Sequence, residues 1–423
     1  MKKDILEFIR QNPKLVAVQD YEITLQQVRG QKKQYVDGVP GVQTEEDSWW
    51  ILLRLIHRDR PGFSVTTIPS KESITRMVNQ AVANAEQSQA DPWFRFPVWP
   101  LQRKEWETPK EIPEDFWKSR FSKLSFSASG FVEWYELWTV ETTIYRRSEK
   151  NLIEYQHKSG KQSWAFGRFR ESFSGLDWSE KRAIDFSRAA ETMTNAKNWV
   201  QDSTQVFSLS PRAAAPLVEA AGAFFLANNV RSHKSPFQLE DLGKKCWSTT
   251  LSVFDDGLST KNLYSSPFDL EGINSQKTPL ISNGVLKGFL YDSYSGVVDN
   301  RLSTGNRIRD PHAIEARLGA RALCVEPGPK QTEEIWQRMG DGIAIEGWSQ
   351  QEITEGFQFY GRPFGWQMVG GMRKGPVMLD MVHWDLAKLF QCNVGIGNDL
   401  QQFEIAATPT LFFQVLESGE RPA

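Results

Sequence analysis

Five prolines between Ala90 and Asp115, namely Pro92, Pro97, Pro100, Pro109 and Pro113, interrupt the chain. Each one fixes φ and removes a backbone donor, so neither a continuous helix nor a central strand can run through this stretch. The stretch therefore reads as a linker or an arm. The same arm carries Trp93, Phe94, Phe96, Trp99 and Trp106. That is too much apolar surface for a freely solvated tether, and the segment is expected to lie against a domain or a partner.

Ahead of the arm, a short amphipathic helix is expected around Asp4 to Arg10. Tyr21, Ile23 and Leu25 then alternate with polar residues until Gly30, as in a half-buried strand. Ser48 to His57 (SWWILLRLIH) and Gly62 to Thr67 read as further strands. Ser70 caps a helix whose Ile74, Met77, Val78, Ala81, Val82 and Ala85 form one stripe suited to packing on the sheet. Beyond the arm, Phe121 to Phe173 reads as several short strands with a turn near Ser159-Gly160. A helix from Ser179 through Ala196 would turn Ala183, Ile184, Phe186, Ala190 and Met193 inward.

The second half opens with a strand, Gln205 to Leu209. Ser210-Pro211, an N-cap followed by the first helical position, should start a helix reaching about Asn228, which Pro216 would kink or delay. From Trp247 onward, short alternating runs (TLSVFDDG, TPLISNGVLKGFLYD, GFQFYG, WQMVGG, ATPTLFFQVLE) are punctuated by turn residues, the pattern of an antiparallel β-rich unit. The expectation is an α+β fold: an N-terminal strand-helix region at 1–89, the arm at 90–117, strands and a helix completing that domain at 118–200, and a β-rich C-terminal domain at 201–423.

Composition narrows the function. With 423 residues there is enough chain for two cores, and 50 Lys and Arg against 52 Asp and Glu give a net charge of -2. Nothing in that balance draws the whole chain to nucleic acid or to anionic lipid. No apolar run approaches the roughly 20 residues of a membrane span. The opening MKKDILEFIRQNP is broken by Asp4, Glu7 and Arg10 and carries no signal peptide, so a soluble, cytoplasmic protein is expected. Cys246, Cys324 and Cys392 form no CxxC and read as reduced core thiols.

Familiar catalytic signatures are missing. None of His57, His157, His233, His312 and His383 is followed by Glu, which excludes HExxH, and neither GxSxG nor GxxxxGK[ST] occurs. Gly395-Ile396-Gly397 is a fragment of a dinucleotide loop and reads as a turn. Asp255-Asp256-Gly257 and Asp269 with Glu271 read as turn chemistry. Arg29 to Lys33 and Arg146 to Lys150 read as solvated hairpin ends. The segment Ser303, Thr304, Gly305, Asn306, Arg307 and Arg309 combines small hydroxyl residues with two guanidinium groups. Such a loop either presents donors to a peptide carboxylate or stabilises its own turn.

Taken together, LSVFDDG at Leu251 to Gly257, FDLEG at Phe268 to Gly272, LISNGVLKGFLYD at Leu280 to Asp292 and STGNRIR at Ser303 to Arg309 resemble the TldD/PmbA family, also described as modulators of DNA gyrase. Gly397-Asn398-Asp399 followed by Pro409-Thr410-Leu411 is similar to the family's closing strands. The resemblance implies a two-subunit peptidase. In its TldD-type subunits a helix carries HExxxH, and the two His with a distant Cys hold the metal. By order, the corresponding helix here is Ser210 to Asn228, and its best-fitting stretch runs from Val218 and Glu219 to Ala223. Val218 and Ala223 offer no lone pair, and a lone carboxylate cannot fix a tetrahedral zinc.

The pattern is thus similar to the PmbA/TldE branch, the subunit without metal ligands. What that implies is a chain with no catalytic residues and no cofactor of its own, paired with a TldD-type subunit that holds zinc or a similar metal. Together the two would enclose an extended peptide for proteolytic processing, with no nucleic acid or membrane involved. Two other expectations stand beside it. One is a peptidase with an unconventional site built from His233, His312 or His383 and nearby carboxylates. The other is a stand-alone peptide-binding or regulatory homodimer. The Trp-rich arm lies outside the family pattern.

Overall fold

A computed structural model describes residues 1–99, 130–167, 169–174, 180–194, 196–199, 205–259, 264, 266–310 and 313–415. The fold is mixed α+β, as the alternation of periods requires. Helix α1 (Lys2–Arg10) precedes three antiparallel strands, β1 (Asp20–Val36), β2 (Val39–His57) and β3 (Arg60–Thr66), and helix α2 (Lys71–Gln87). After the arm come β4 (Phe131–Arg146), β5 (Asn151–Phe166) and β6 (Phe169–Ser174). These join the first three in one six-stranded sheet of order β3-β2-β1-β4-β5-β6.

The strand expected to stop at Gly30 continues to Val36. Gly30 sits opposite Trp138, whose ring lies 2.7 Å from where a Cβ would be, so glycine here makes room for a large neighbour and does not end the strand. The Arg29 to Lys33 stretch consequently lies within β1 and faces the acidic stretch of β2, with Arg29 opposite Asp47 and Gln31 opposite Glu45. Strand β3 pairs only with the C-terminal end of β2, from Ile51 to His57. Among the described residues the outer edge of β2 is therefore unpaired from Val39 to Trp50.

Helix α2 forms as its stripe dictates. The Ser70 hydroxyl caps it by accepting the Ser73 N–H, and Ile74, Met77, Val78, Ala81 and Ala85 are buried against Ile51, Leu53 and Leu55. Burying Ile74, Met77 and Val78 is worth roughly 1.5–3 kcal/mol each. Close seating needs Gly62, where a Cβ would come within 2.2 Å of the Ala81 carbonyl oxygen. Helix α3 (Glu180–Thr194) buries Ala183, Phe186, Ala190 and Met193 with Trp164 and Phe169. The expected start of this helix at Ser179 lies outside the described residues.

The rest of the chain builds two further large sheets and one of only two strands. In order come β7 (Lys197–Trp199), β8 (Gln205–Leu209), helices α4 (Pro211–Ala221) and α5 (Ala227–Arg231), β9 (Val253–Asp256), β10 (Lys277–Ser282), β11 (Val285–Leu286), α6 (Ser293–Asp299), β12 (Arg307–Ile308), β13 (Arg317–Leu318) and β14 (Leu323–Val325). Helix α7 (Thr332–Met339) leads to β15 (Gly342–Thr354), β16 (Gln358–Val369), β17 (Met372–Leu379), β18 (Val382–Asp385), α8 (Leu386–Leu389), β19 (Asn393–Ile396), β20 (Gln401–Gln402), β21 (Ala406–Thr408) and β22 (Leu411–Val415). One large sheet runs β19-β22-β8-β15-β16-β17-β7 and also takes in β18. The other runs β11-β10-β9-β14-β21-β20. Helix α4 packs between them in the largest core, with Phe207, Leu209, Leu251, Leu280 and Phe413.

Three expectations are corrected. The helix from Ser210 ends at Ala221 rather than near Asn228. At Gly222 a Cβ would meet the Leu323 side chain at 2.6 Å, so glycine there makes room for β14, and a 3-10 turn follows over Gly222–Phe225. Gly395 and Ile396 belong to β19, an edge strand and not a turn. Arg146 is not a solvated hairpin end but one of the most buried side chains, paired with Glu22. Among the described residues no helix is long and apolar enough to cross a membrane.

The arm, over residues 93–99, closes onto that buried pair. The Trp99 ring is buried 4.5 Å above the Arg146 guanidinium, and its Nε1 donates to the Glu271 carbonyl at 3.0 Å. Phe96 lies over Arg54 and Arg146, at 5.6 and 5.3 Å. Trp99 rests on Gly272, whose φ of +77° and missing side chain leave the space the indole fills. Trp106 and the remainder of the arm lie outside the described residues.

Candidate functional site

Helix α4 begins at Ser210, which ties it to β15. The Ser210 N–H donates to the Ile345 carbonyl at 2.9 Å, its hydroxyl donates to the Glu346 carbonyl at 3.0 Å, and the same oxygen accepts the Ala213 N–H at 3.3 Å. Pro216 sits inside the helix without breaking it. Having no N–H, it removes the intrahelical donor for the Arg212 carbonyl.

On this side of the helix, Arg212, Ala215, Pro216 and Glu219 line a cleft of about 530 Å³. Residues 347–351 of β15, residues 170–172 of β6, Trp134, Trp164, Phe403 and Glu404 form its other walls. Trp348 is fixed there by donating its Nε1 proton to the Ala213 carbonyl at 2.9 Å.

The carboxylates of the cleft are all engaged within the chain. Glu171 is buried between Arg212, at 2.7 Å, and Arg182, at 3.5 Å. Glu404 pairs with Lys161 at 2.6 Å and accepts a hydrogen bond from Ser172. Glu219 accepts the backbone N–H groups of Ile405 and Ala406, at 3.0 and 3.2 Å. Burial nevertheless raises its carboxyl above the usual range, because those two amides only partly offset desolvation and Glu404 adds like charge. Glu219 thus anchors the loop between β20 and β21 to α4.

Val218 and Ala223, the neighbours of Glu219 in the degenerate motif, do not line this cleft. Val218 is 3% exposed within the main core, and the Ala223 backbone carbonyl accepts from Asn229 Nδ2 at 2.9 Å. A tetrahedral metal needs several convergent donors, whereas this stretch offers one carboxylate already bound to two amides, so the residues present do not fit a zinc ion. Among the described residues no three His, Cys, Asp or Glu side chains converge as a metal site would need. His233 contacts Gln238 at 3.2 Å, and His383 contacts Gln358 at 2.7 Å while stacking on Tyr360. His312 lies outside the described residues.

The Ser303 to Arg309 segment lies apart from the cleft, and its donors are used inside the chain. Ser303 and Thr304 hydroxyls donate to the Tyr291 carbonyl, at 3.2 and 3.1 Å. The Gly305 carbonyl accepts from Arg321 at 3.1 Å. Asn306 Nδ2 donates to Asp255 at 2.7 Å and to the Gly319 carbonyl at 3.0 Å. Arg307 pairs with Asp292 at 2.9 Å. Arg309 reaches the N-terminal sheet, donating to Gln26 at 2.8 Å and stacking 4.7 Å over Trp50.

The segment is therefore part of a polar joint between the N-terminal sheet and the C-terminal half. Arg307 and Arg309 border a small cavity there, about 40 Å³, with Tyr155, His157, Asp269 and Arg321. Burial and then Arg321 push the His157 imidazole down to about 4, and burial pushes the Tyr155 hydroxyl up to about 12. Burial also works against ionising Glu271, yet Arg54 and then Arg307 hold its carboxyl below the usual range.

Sequence reasoning reached Glu219 and the helix that carries it, but not Arg170, Glu171 or Trp348. No local pattern signals that β6 and β15, far apart in the chain, border the same space. The lone available hint was Pro216 in an otherwise helical run, a residue that costs stability and marks a site where the helix departs from regular bonding.

The family model of the PmbA/TldA metallopeptidase C-terminal domain matches residues 204–419. The chain is similar to the Metalloprotease PmbA homolog of Buchnera aphidicola subsp. Baizongia pistaciae, 26% identical over 69% of this chain and 61% of that one. It is also similar to Metalloprotease PmbA of Escherichia coli O157:H7, 27% identical over 40% of this chain and 35% of that one. Across the first curated relatives, the matches span from 24% to 61% of the relative's length. In fold it is similar to the crystal structure of TldE from Thermococcus kodakarensis, with a TM-score of 0.81, 17% identity, and 98% and 99% of the two chains covered.

Proposed function

The chain belongs to the PmbA/TldD family, and from that premise we propose that it is the metal-free subunit of a TldD/TldE-type metallopeptidase. It pairs with a TldD-type chain that holds the zinc or similar metal, and it forms one wall of a chamber that encloses an extended peptide. The observation that carries this reading is the pair Val218 and Ala223, which flank Glu219 without a single side-chain donor, one of them sunk in the core.

A second feature supports extended peptide as the occupant. Strand β15 pairs with β8 only through Ile343, Ala344 and Ile345. Beyond that point, among the described residues, no strand pairs with the same edge of β15, and residues 347–351 line the cleft. An open strand edge holds peptides through main-chain hydrogen bonds whatever their sequence.

The test is co-expression with a TldD-type chain from the same source. The two should purify together, peptide cleavage should require both, and metal measured by elemental mass spectrometry should follow the partner. Chelator-sensitive cleavage by this chain alone, or failure of the two chains to associate, would overturn the reading.

A further inference from the structure

The cleft's charges are not balanced by its own partners. Glu171, Glu219 and Glu404 are each engaged, by two guanidinium groups, by two backbone amides, and by Lys161 with Ser172. Arg212 is likewise held by Glu171 and lies 5.5 Å over the Phe186 ring. Arg170 is different. It lines the cleft, is exposed, and makes no hydrogen bond or ion pair among the described residues.

Its place on β6 gives this cation a direction. Arg170 pairs with Ala165 of β5, two residues before Ser172, so the two side chains project from the same face of the strand. Ser172 reaches Glu404, which lines the same cleft. The free guanidinium therefore borders the same space as the open edge of β15.

We propose that Arg170 and the edge of β15 form a subsite for a carboxylate on the bound peptide, the main chain being held by β15 and the negative group by Arg170. This inference rests on the peptide-enclosing function proposed above and adds a charge preference to it. The carboxylate comes either from an Asp or Glu side chain or from the peptide's C-terminus. Both present two oxygens to the fork of a guanidinium. An exposed cation in high dielectric gives a moderate, salt-sensitive preference rather than an absolute requirement.

The experiment uses the full chain and fluorescein-labelled hexapeptides in an anisotropy titration. One peptide carries Glu with an amidated C-terminus, a second carries Gln with a free C-terminus, and a third carries Gln with an amidated C-terminus. The inference expects the third to bind roughly two- to fivefold more weakly than at least one of the others. Which of the first two binds better identifies the source of the carboxylate.

Arg170→Gln should erase the difference, and Arg170→Glu should turn the preference toward a Lys-containing peptide. A merely structural role for Arg170 would produce no such inversion. Binding of all three peptides with equal strength overturns the charge preference and leaves peptide enclosure standing. Absence of binding by any of them overturns both.

Discussion

Arg54 of β2 spans the joint between the two halves of the molecule: one side of its guanidinium meets Glu22 at 2.6 Å within the N-terminal sheet, and the other meets Glu271 at 2.8 Å in the C-terminal half. Glu271 is 3% exposed, and Arg146, beneath Trp99, closes the same network. Removing one member of a buried ion pair strands its partner's charge, which costs about 3–5 kcal/mol. Arg54→Leu should destabilise the chain by that order, read as a lower urea midpoint. An unchanged midpoint would mean that the joint contributes little.

Glu219 offers a test of its anchoring role that separates hydrogen bonding from charge. Both amides that it holds converge on one oxygen, Oε1, which Gln retains. Glu219→Gln should leave stability within about 1 kcal/mol of the parent. Glu219→Ala should cost about 1–3 kcal/mol, because the N–H groups of Ile405 and Ala406 lose their acceptor. Equal losses in the two variants would show that the negative charge is what matters.

The half-buried imidazole of His157 makes stability depend on pH. Unfolded, it takes up a proton below its ordinary value of 6.5; folded, it does so only near 4. Between those values the unfolded chain binds more protons, so stability falls on acidification from pH 6.5 to 4 and is fully present above 6.5. The contribution is at most roughly 3 kcal/mol. Urea melts at pH 7, 6 and 5 should show a shallower decline for His157→Gln than for the parent. Parallel declines would place the acid sensitivity in other groups.

Much of the fold could be read from the sequence because local pattern and burial coincide. The α2 stripe is buried as its spacing requires, and Ser70 and Ser210 both cap the helices they precede. What could not be read were effects of distant neighbours. Gly30 is explained by Trp138, Gly222 by Leu323, and the burial of Arg146 by Glu22. The site follows the same rule. Glu219 was visible through its helix, whereas Arg170 and Trp348 acquire their significance only when β6 and β15 meet across the cleft.

Grafting histidines onto the degenerate motif should not create a metal centre. Val218 lies in the main core and not on the cleft wall, so an imidazole there would overpack the core and lack a partner. Val218→His with Ala223→His should lower the melting temperature and leave zinc content near zero. Stoichiometric zinc in the double variant would show that the two positions do converge.

Trp99 seals the joint from one side. Its ring covers Arg146 and its Nε1 donates to the Glu271 carbonyl. Trp99→Ala should cost about 3–5 kcal/mol and open residues 90–99 to limited proteolysis. Trp99→Phe, which keeps most of the apolar cover and loses the hydrogen bond, should fall between the two. A protease pattern unaltered in the alanine variant would mean that other contacts hold the arm.

The outer edge of β2, unpaired among the described residues, has a consequence for how the molecule behaves in a crowd. A foreign strand that approached it would find no donor at Pro40 and would meet Glu45, Glu46 and Asp47 in succession, so self-association along that ribbon is discouraged. The part of β15 that lines the cleft, Gly347, Trp348, Ser349, Gln350 and Gln351, carries no charge of that kind. Charge thus deters strand addition along the outer edge of β2 and does not deter it along the part of β15 that lines the cleft.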